Sequence, residues 1–201
     1  QALPHFSLIQ LDSAASQHRS NNPVKEIALL LSKTNTYLRQ FTQNYVDSFQ
    51  FSIAVDKSYF VNIAKIRAFK LLWNQVQEAY EIETLSSIEA TLTNNTLVED
   101  QYENMISAGT QAMSAIVAGV DRLYLPPANQ LEQPEGNGFT KRIARNVQHL
   151  LQLESYLDHV VDPAAGSYYI EQLTDKLAEK AWTQFQQFEK LGGYQVQKEK
   201  L

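Results

Sequence analysis

The sequence predicts an α/β fold in which consecutive strand–helix units place a parallel sheet behind a layer of helices. Three observations lead there. A short β-rich run is followed by a stretch of helical spacing five times along the 201 residues. Each stretch is long enough to be the crossover that parallel strands need. The composition, 44% apolar and 19% charged, is that of a globular chain with a sizeable core, which excludes disorder and collagen-like repeats.

The first unit opens with FSLIQL (Phe6 to Leu11) as a strand. Asn22 then caps a helix whose first residue, Pro23, loses nothing by lacking an N–H. Val24, Ile27, Leu31, Leu38 and Phe41 give that helix one apolar face. The second unit is QFSIAV (Gln50 to Val55), then a helix from about Tyr59 to Tyr80 with a stripe at Phe60, Ala64, Ala68, Leu71, Leu72 and Val76. The third is SIEATL (Ser87 to Leu92), the polar run Thr93 to Thr96, and a helix through Tyr102, Met105, Ile106, Met113, Ile116 and Val117, ended by Gly119. The fourth is DRLYL (Asp121 to Leu125), a loop rich in Pro, Asn and Gly, and a helix from about Thr140 to Glu154. The fifth is the weakest: His159 to Val161, then Pro163 to Gly166, then a helical stretch to Leu191 stopped by Gly192 and Gly193.

A doubly wound sheet would be complete with five such units. A (β/α)8 barrel would need three more, and ~250 residues in all. Gln10, Ser52, Glu89, Thr91 and Arg122 interrupt the strands with polar side chains. A barrel accommodates such residues facing its lumen, so the expectation is a (β/α)8 TIM-barrel type. The chain, which begins with Gln, then reads as part of something longer.

Composition narrows the function classes. The absence of cysteine excludes disulfides, thiolate metal sites and a cysteine nucleophile, and it favours a cytoplasmic location. A net charge of −5 argues against nucleic-acid binding, which needs a basic excess. No apolar run approaches a membrane span and no basic leader precedes an apolar core, so neither a membrane anchor nor a signal peptide is expected.

In α/β folds of either kind, functional residues gather at the C-terminal ends of the strands. That rule selects Asp12, Ser13 and His18, then Asp56, then Thr93 to Asn95, then Pro126 and Pro127, then Asp162. The aspartates read either as acid–base groups or as caps that tie down the next element. His5, His18, His149 and His159 lack the i, i+4 spacing of a helical zinc pair. No G-x-G-x-x-G, Walker or G-x-S-x-G motif is present. Lys141, Arg142 and Arg145, in the first turns after GNGFT, form a cationic cluster suited to an anion such as phosphate, or to a solvated helix face. Tyr168, Tyr169, Trp182, Phe185 and Phe188 have the spacing of helix core or of a protein interface.

NIAKIRAFKLLW (Asn62 to Trp73), GFTKRIARNVQHLLQLES (Gly138 to Ser155) and VVDPAAGSYYIEQLTDKLAEKAW (Val160 to Trp182) occur in this order. With His18 and NNPVKEIALLLSKTNTYLRQF before them, they resemble the methylmalonyl-coenzyme A mutase family. The resemblance covers essentially the whole chain. It implies a (β/α)8 barrel threaded by an acyl-coenzyme A, with adenosylcobalamin held between that barrel and a separate domain. Residues 1–162 would be the C-terminal part of the barrel, and 163–201 a trailing helical segment packed on it. The cobalamin domain's D-x-H-x-x-G motif does not occur here. Catalytic members carry T-H-x-Q-T-S-G where this chain has Glu89 to Asn95, and L-H-T-N-S where it has Leu123 to Pro127. A radical rearrangement needs a closed, precisely lined site around its cofactor. The resemblance therefore implies the family's small subunit: no catalytic residues on this chain, no adenosylcobalamin bound by it alone, and a catalytic large subunit as heterodimer partner. A catalytic acyl-coenzyme A mutase of shifted substrate range, and a stand-alone α/β phosphate-binding module, are the alternatives.

Overall fold

The computed structural model describes residues 9–13, 22–40, 49–82 and 86–198. Four parallel strands, β1 (Ile9–Asp12), β2 (Phe49–Val55), β3 (Ser87–Leu92) and β4 (Arg122–Tyr124), lie in the order β1-β2-β3-β4. Helices α1 (Pro23–Gln40), α2 (Tyr59–Tyr80) and α3 (Gln101–Val117) make the crossovers, and α4 (Gly138–Leu153) follows β4. Two more helices close the described chain, α5 (Tyr168–Lys190) and α6 (Gly193–Lys198).

Local chemistry sets several of these boundaries. Asn22 caps α1 as its sequence implies, its Oδ1 accepting from the N–H groups of Val24 at 3.0 Å and Lys25 at 3.3 Å. Asp100 caps α3 by accepting from the Tyr102 N–H, and Gly119 leaves that helix at φ +75°, where a side chain would be strained. The α4 start is a reciprocal cap in which Asn137 and Thr140 each bond the other's backbone N–H.

The two faces of the sheet differ in kind. Leu11, Phe51, Ile53, Val55, Ile88, Ala90 and Leu92 are buried on the helix side. The Phe51 ring meets Phe69 at 4.8 Å and Trp73 at 5.0 Å, both edge-on. Gln10, Asp12, Gln50, Ser52, Glu89, Thr91, Arg122 and Tyr124 alternate onto the other face. There the Arg122 Nη1 donates to Gln50 Oε1 at 3.0 Å, reaching across β3. Gln50 Nε2 donates to Glu89 at 3.3 Å, and the Ser52 and Thr91 hydroxyls share a bond of 3.0 Å. A doubly wound sheet would need apolar residues on that face to seat a second helix layer. The monotonic strand order likewise shows no reversal point among the described strands.

Outside the crossover helices lies α5, on α1 and α2. Ile170, Thr174, Leu177, Ala181, Phe185 and Phe188 are its buried residues, at spacings of three and four. Glu189 at its end accepts from the Ser32 hydroxyl at 2.6 Å and from the Asn35 amide.

Two expectations are corrected. The fifth strand, His159 to Val161, is a turn with Val161 98% exposed. Its successor Asp162 is bonded to Arg67 on α2, in the helical layer, so the preceding valines do not reach the sheet edge at β4. The α2 stripe is also wider than the spacing implies. Phe60 and Leu71 are half-exposed, whereas Asn62, Lys65, Ile66, Phe69 and Trp73 are buried, because the sheet, α1, α3 and α5 enclose the helix. His5 and His18, the residues Phe6 to Leu8 of the first strand, and Phe41 lie outside the described residues.

Candidate functional site

The C-terminal ends of the strands hold structural polar networks. Ser13, at the end of β1, is buried and donates its hydroxyl to Glu26 at 2.5 Å. The other Glu26 oxygen takes Lys65 Nζ at 2.9 Å, and Lys65 also donates to the Ala54 carbonyl at 2.6 Å. Ala54 N–H returns a bond to the Ser13 hydroxyl. Four elements are thus locked by one buried ion pair. Sequence reasoning missed Glu26 and Lys65. The available signal was a lysine in register with Asn62, Phe69 and Val76 on the inward side of α2.

Asp56, after β2, accepts from the Ser58 N–H at 2.7 Å, and Asn62 clasps the Asp56 backbone from α2. After β3, Thr93 is buried with no partner for its hydroxyl, while its carbonyl accepts from the Thr96 N–H and hydroxyl. Asn95 is exposed. Asp162 pairs with Arg67 and accepts from the Ala164 N–H; Arg67 also reaches Glu171 at 2.8 Å. Those two carboxylates hold the Arg67 guanidinium above its ordinary value despite the opposing effect of burial. Burial lowers Lys70, whose ammonium donates to the carbonyls of Ala118 and Gly119 at the end of α3. The aspartates Asp56 and Asp162 therefore tie down loops.

The cationic cluster is divided. Lys141 and Arg145 lie one turn apart on the flank of α4 that borders a cleft of about 470 Å³ beyond the end of β4. Tyr124, Leu125, Pro127, Gln130, Pro134 and Glu135 form much of the rest of its wall. Arg142 points elsewhere, its guanidinium lying 5.8 Å from the centre of the Phe139 ring.

The cleft's loop is firmly held. Asn104 on α3 donates to the carbonyls of Val98 and Ala128, both at 2.8 Å. Asn129 accepts from the Thr140 hydroxyl at 2.6 Å. Gly136, at φ +65°, lies so close to Pro127 that an added Cβ would come within 2.3 Å of the proline's Cβ.

Among the described residues, no three His, Cys, Asp or Glu side chains gather where a metal ion could sit. Of the histidines described, His149 lies on the exposed flank of α4 and His159 in an exposed turn beside Asp158.

The described residues thus form a parallel four-stranded α/β sheet with one apolar face and one polar face. The comparisons with known proteins give the scaffold its family. A sequence model described as methylmalonyl-CoA mutase matches residues 1–199, and the chain belongs to that family. It is 39% identical to the methylmalonyl-CoA mutase small subunit of Porphyromonas gingivalis, over 72% of this chain and 24% of that protein. It is 32% identical to methylmalonyl-CoA mutase of Rhizobium meliloti, over 95% of this chain and 28% of that one. It is 30% identical to the methylmalonyl-CoA mutase small subunit of Propionibacterium freudenreichii subsp. shermanii, over 94% of this chain and 31% of that protein. The chain thus spans 24% to 31% of the length of these relatives.

Proposed function

We propose that this chain is the C-terminal part of the barrel, with its trailing helices, in a non-catalytic small subunit of adenosylcobalamin-dependent methylmalonyl-CoA mutase. The small subunit pairs with a catalytic large subunit, and the heterodimer interconverts methylmalonyl- and succinyl-CoA. The observation that carries this reading is the chemistry after β3 and β4. Where catalytic members have a histidine and a glutamine, and then a second histidine, this chain has Glu89 to Asn95 and Leu123 to Pro127. Glu89 and Thr91 bond Gln50 and Ser52 on the neighbouring strand, and Tyr124 leads into a proline pair. A cofactor that forms radicals needs oriented polar groups and a closed wall around the substrate. Small-subunit relatives at 30% and 39% identity support the assignment. The polar second face supports a closed barrel, because a lumen is where such a face is stable.

The test is turnover of methylmalonyl-CoA by the full-length protein alone and after reconstitution with its large subunit. Activity is expected only in the reconstituted complex. Thr91→Ala should change that activity less than twofold. A collapse with the complex intact by size exclusion, or turnover by this subunit alone, overturns the reading.

A further inference from the structure

The cleft beyond β4 holds two cations that the proposed function does not use. Lys141 and Arg145 both border it, and neither makes an ion pair or a side-chain hydrogen bond among the described residues. The helix N-terminus beside them is already occupied by the Asn137–Thr140 cap, so the two cations themselves are the anion-binding element. The opposite wall is of another kind. Leu125, Pro127 and Pro134 are apolar, and Tyr124 offers a half-exposed ring. Glu135 is an acceptor on that wall. The volume, about 470 Å³, is in the range of small-molecule sites and far exceeds one phosphate ion.

We propose that this cleft binds a nucleoside monophosphate or a closely similar phosphate monoester. The phosphate dianion sits between Lys141 and Arg145. The base lies against Tyr124 and turns a donor towards Glu135. Arg142 takes no part, although it adjoins Lys141 in sequence and carries the same charge, because it is turned onto Phe139. The site is pre-organised by the Asn104 and Asn129 bonds and by the Gly136–Pro127 contact, so binding costs little loop ordering. Both cations are solvent-exposed, which sets the expected Kd on the order of 1 mM.

The experiment titrates the full-length protein with AMP, following ligand-observed NMR and fluorescence, at two salt concentrations. Adenosine serves as the ligand without phosphate. Saturable AMP binding is expected. Arg145→Ala and Lys141→Ala should each weaken it about fivefold or more, Arg142→Ala less than twofold, and adenosine should bind at least tenfold more weakly. Circular dichroism shows that each variant is folded. Equal losses from Arg142→Ala and Arg145→Ala would mean a diffuse charge effect and overturn the proposal. So would the absence of saturable AMP binding, including the case in which the two substitutions instead weaken association with the large subunit. Turnover plays no part in this readout, so it stands or falls separately from the small-subunit reading.

Discussion

Replacing Lys65 with methionine tests whether the buried Glu26–Lys65 pair organises the sheet's C-terminal edge. Both side chains are 2% exposed. The change removes two donors, one to Glu26 Oε2 at 2.9 Å and one to the Ala54 carbonyl at 2.6 Å. The Glu26 carboxylate is left buried with the Ser13 hydroxyl as its donor among the bonds described. Breaking a buried pair by deleting one partner costs about 3–5 kcal/mol, because a charge remains without water or a counter-charge. The net strength of the pair itself is far smaller, since both ions were desolvated to make it. Glu26→Met combined with Lys65→Met should therefore recover more than half of the loss, leaving mainly the Ala54 carbonyl without its lysine donor and the Ser13 O–H without its acceptor. The assay is urea denaturation of the full-length protein for wild type, both single variants and the double variant. Comparable m-values are the check that the same surface unfolds. A loss under ~1 kcal/mol for Lys65→Met would refute the reasoning, as would a double variant as unstable as the two singles summed.

Arg67→Ala should release the 158–167 segment, because it unpairs Asp162 and Glu171 together; faster amide exchange around Ala164 and Gly166 is the readout. Gly136→Ala should cost about 1–3 kcal/mol, since a Cβ at φ +65° must push Pro127 aside, and thermal unfolding measures it. Burial holds the Tyr59 phenol above its usual 10.0, so the folded state keeps its proton where the unfolded state has lost it. That contribution is whole below about pH 10 and falls as pH rises through the folded value; Tyr59→Phe should flatten the fall in denaturation midpoints above about pH 10. Phe185→Ala should cost about 3–5 kcal/mol, as its ring is in the core, whereas Tyr168→Ser, at a residue 87% exposed, should leave stability within about 0.5 kcal/mol.

The sequence by itself determined the class of fold and most of the element boundaries. The helix beginning at Pro23, the helix over Tyr59–Tyr80 and the strand over Ser87–Leu92 follow from caps, periodicity and β-rich runs, which act over a few residues. The family was legible in RIARN and DPAAGSYYIE for the same local reason, since the order of residues is all that a resemblance needs. What tertiary structure decided was the meaning of side chains that have no local signal. Lys141, Arg142 and Arg145 look alike in sequence, yet only Lys141 and Arg145 reach the cleft, because successive helix positions point about 100° apart and the loop wall stands on one side. Tyr168 and Phe185 share one aromatic stretch, but the position of α1 and α2 under α5 leaves the first in solvent and buries the second. His159 to Val161 has strand composition and is a turn, because Asp162 is held by Arg67, more than ninety residues earlier. Glu26, Lys65 and Ser13 become one network only when two strands and two helices meet. Partners so distant along the chain are chosen by packing, and packing is not written in any window of sequence.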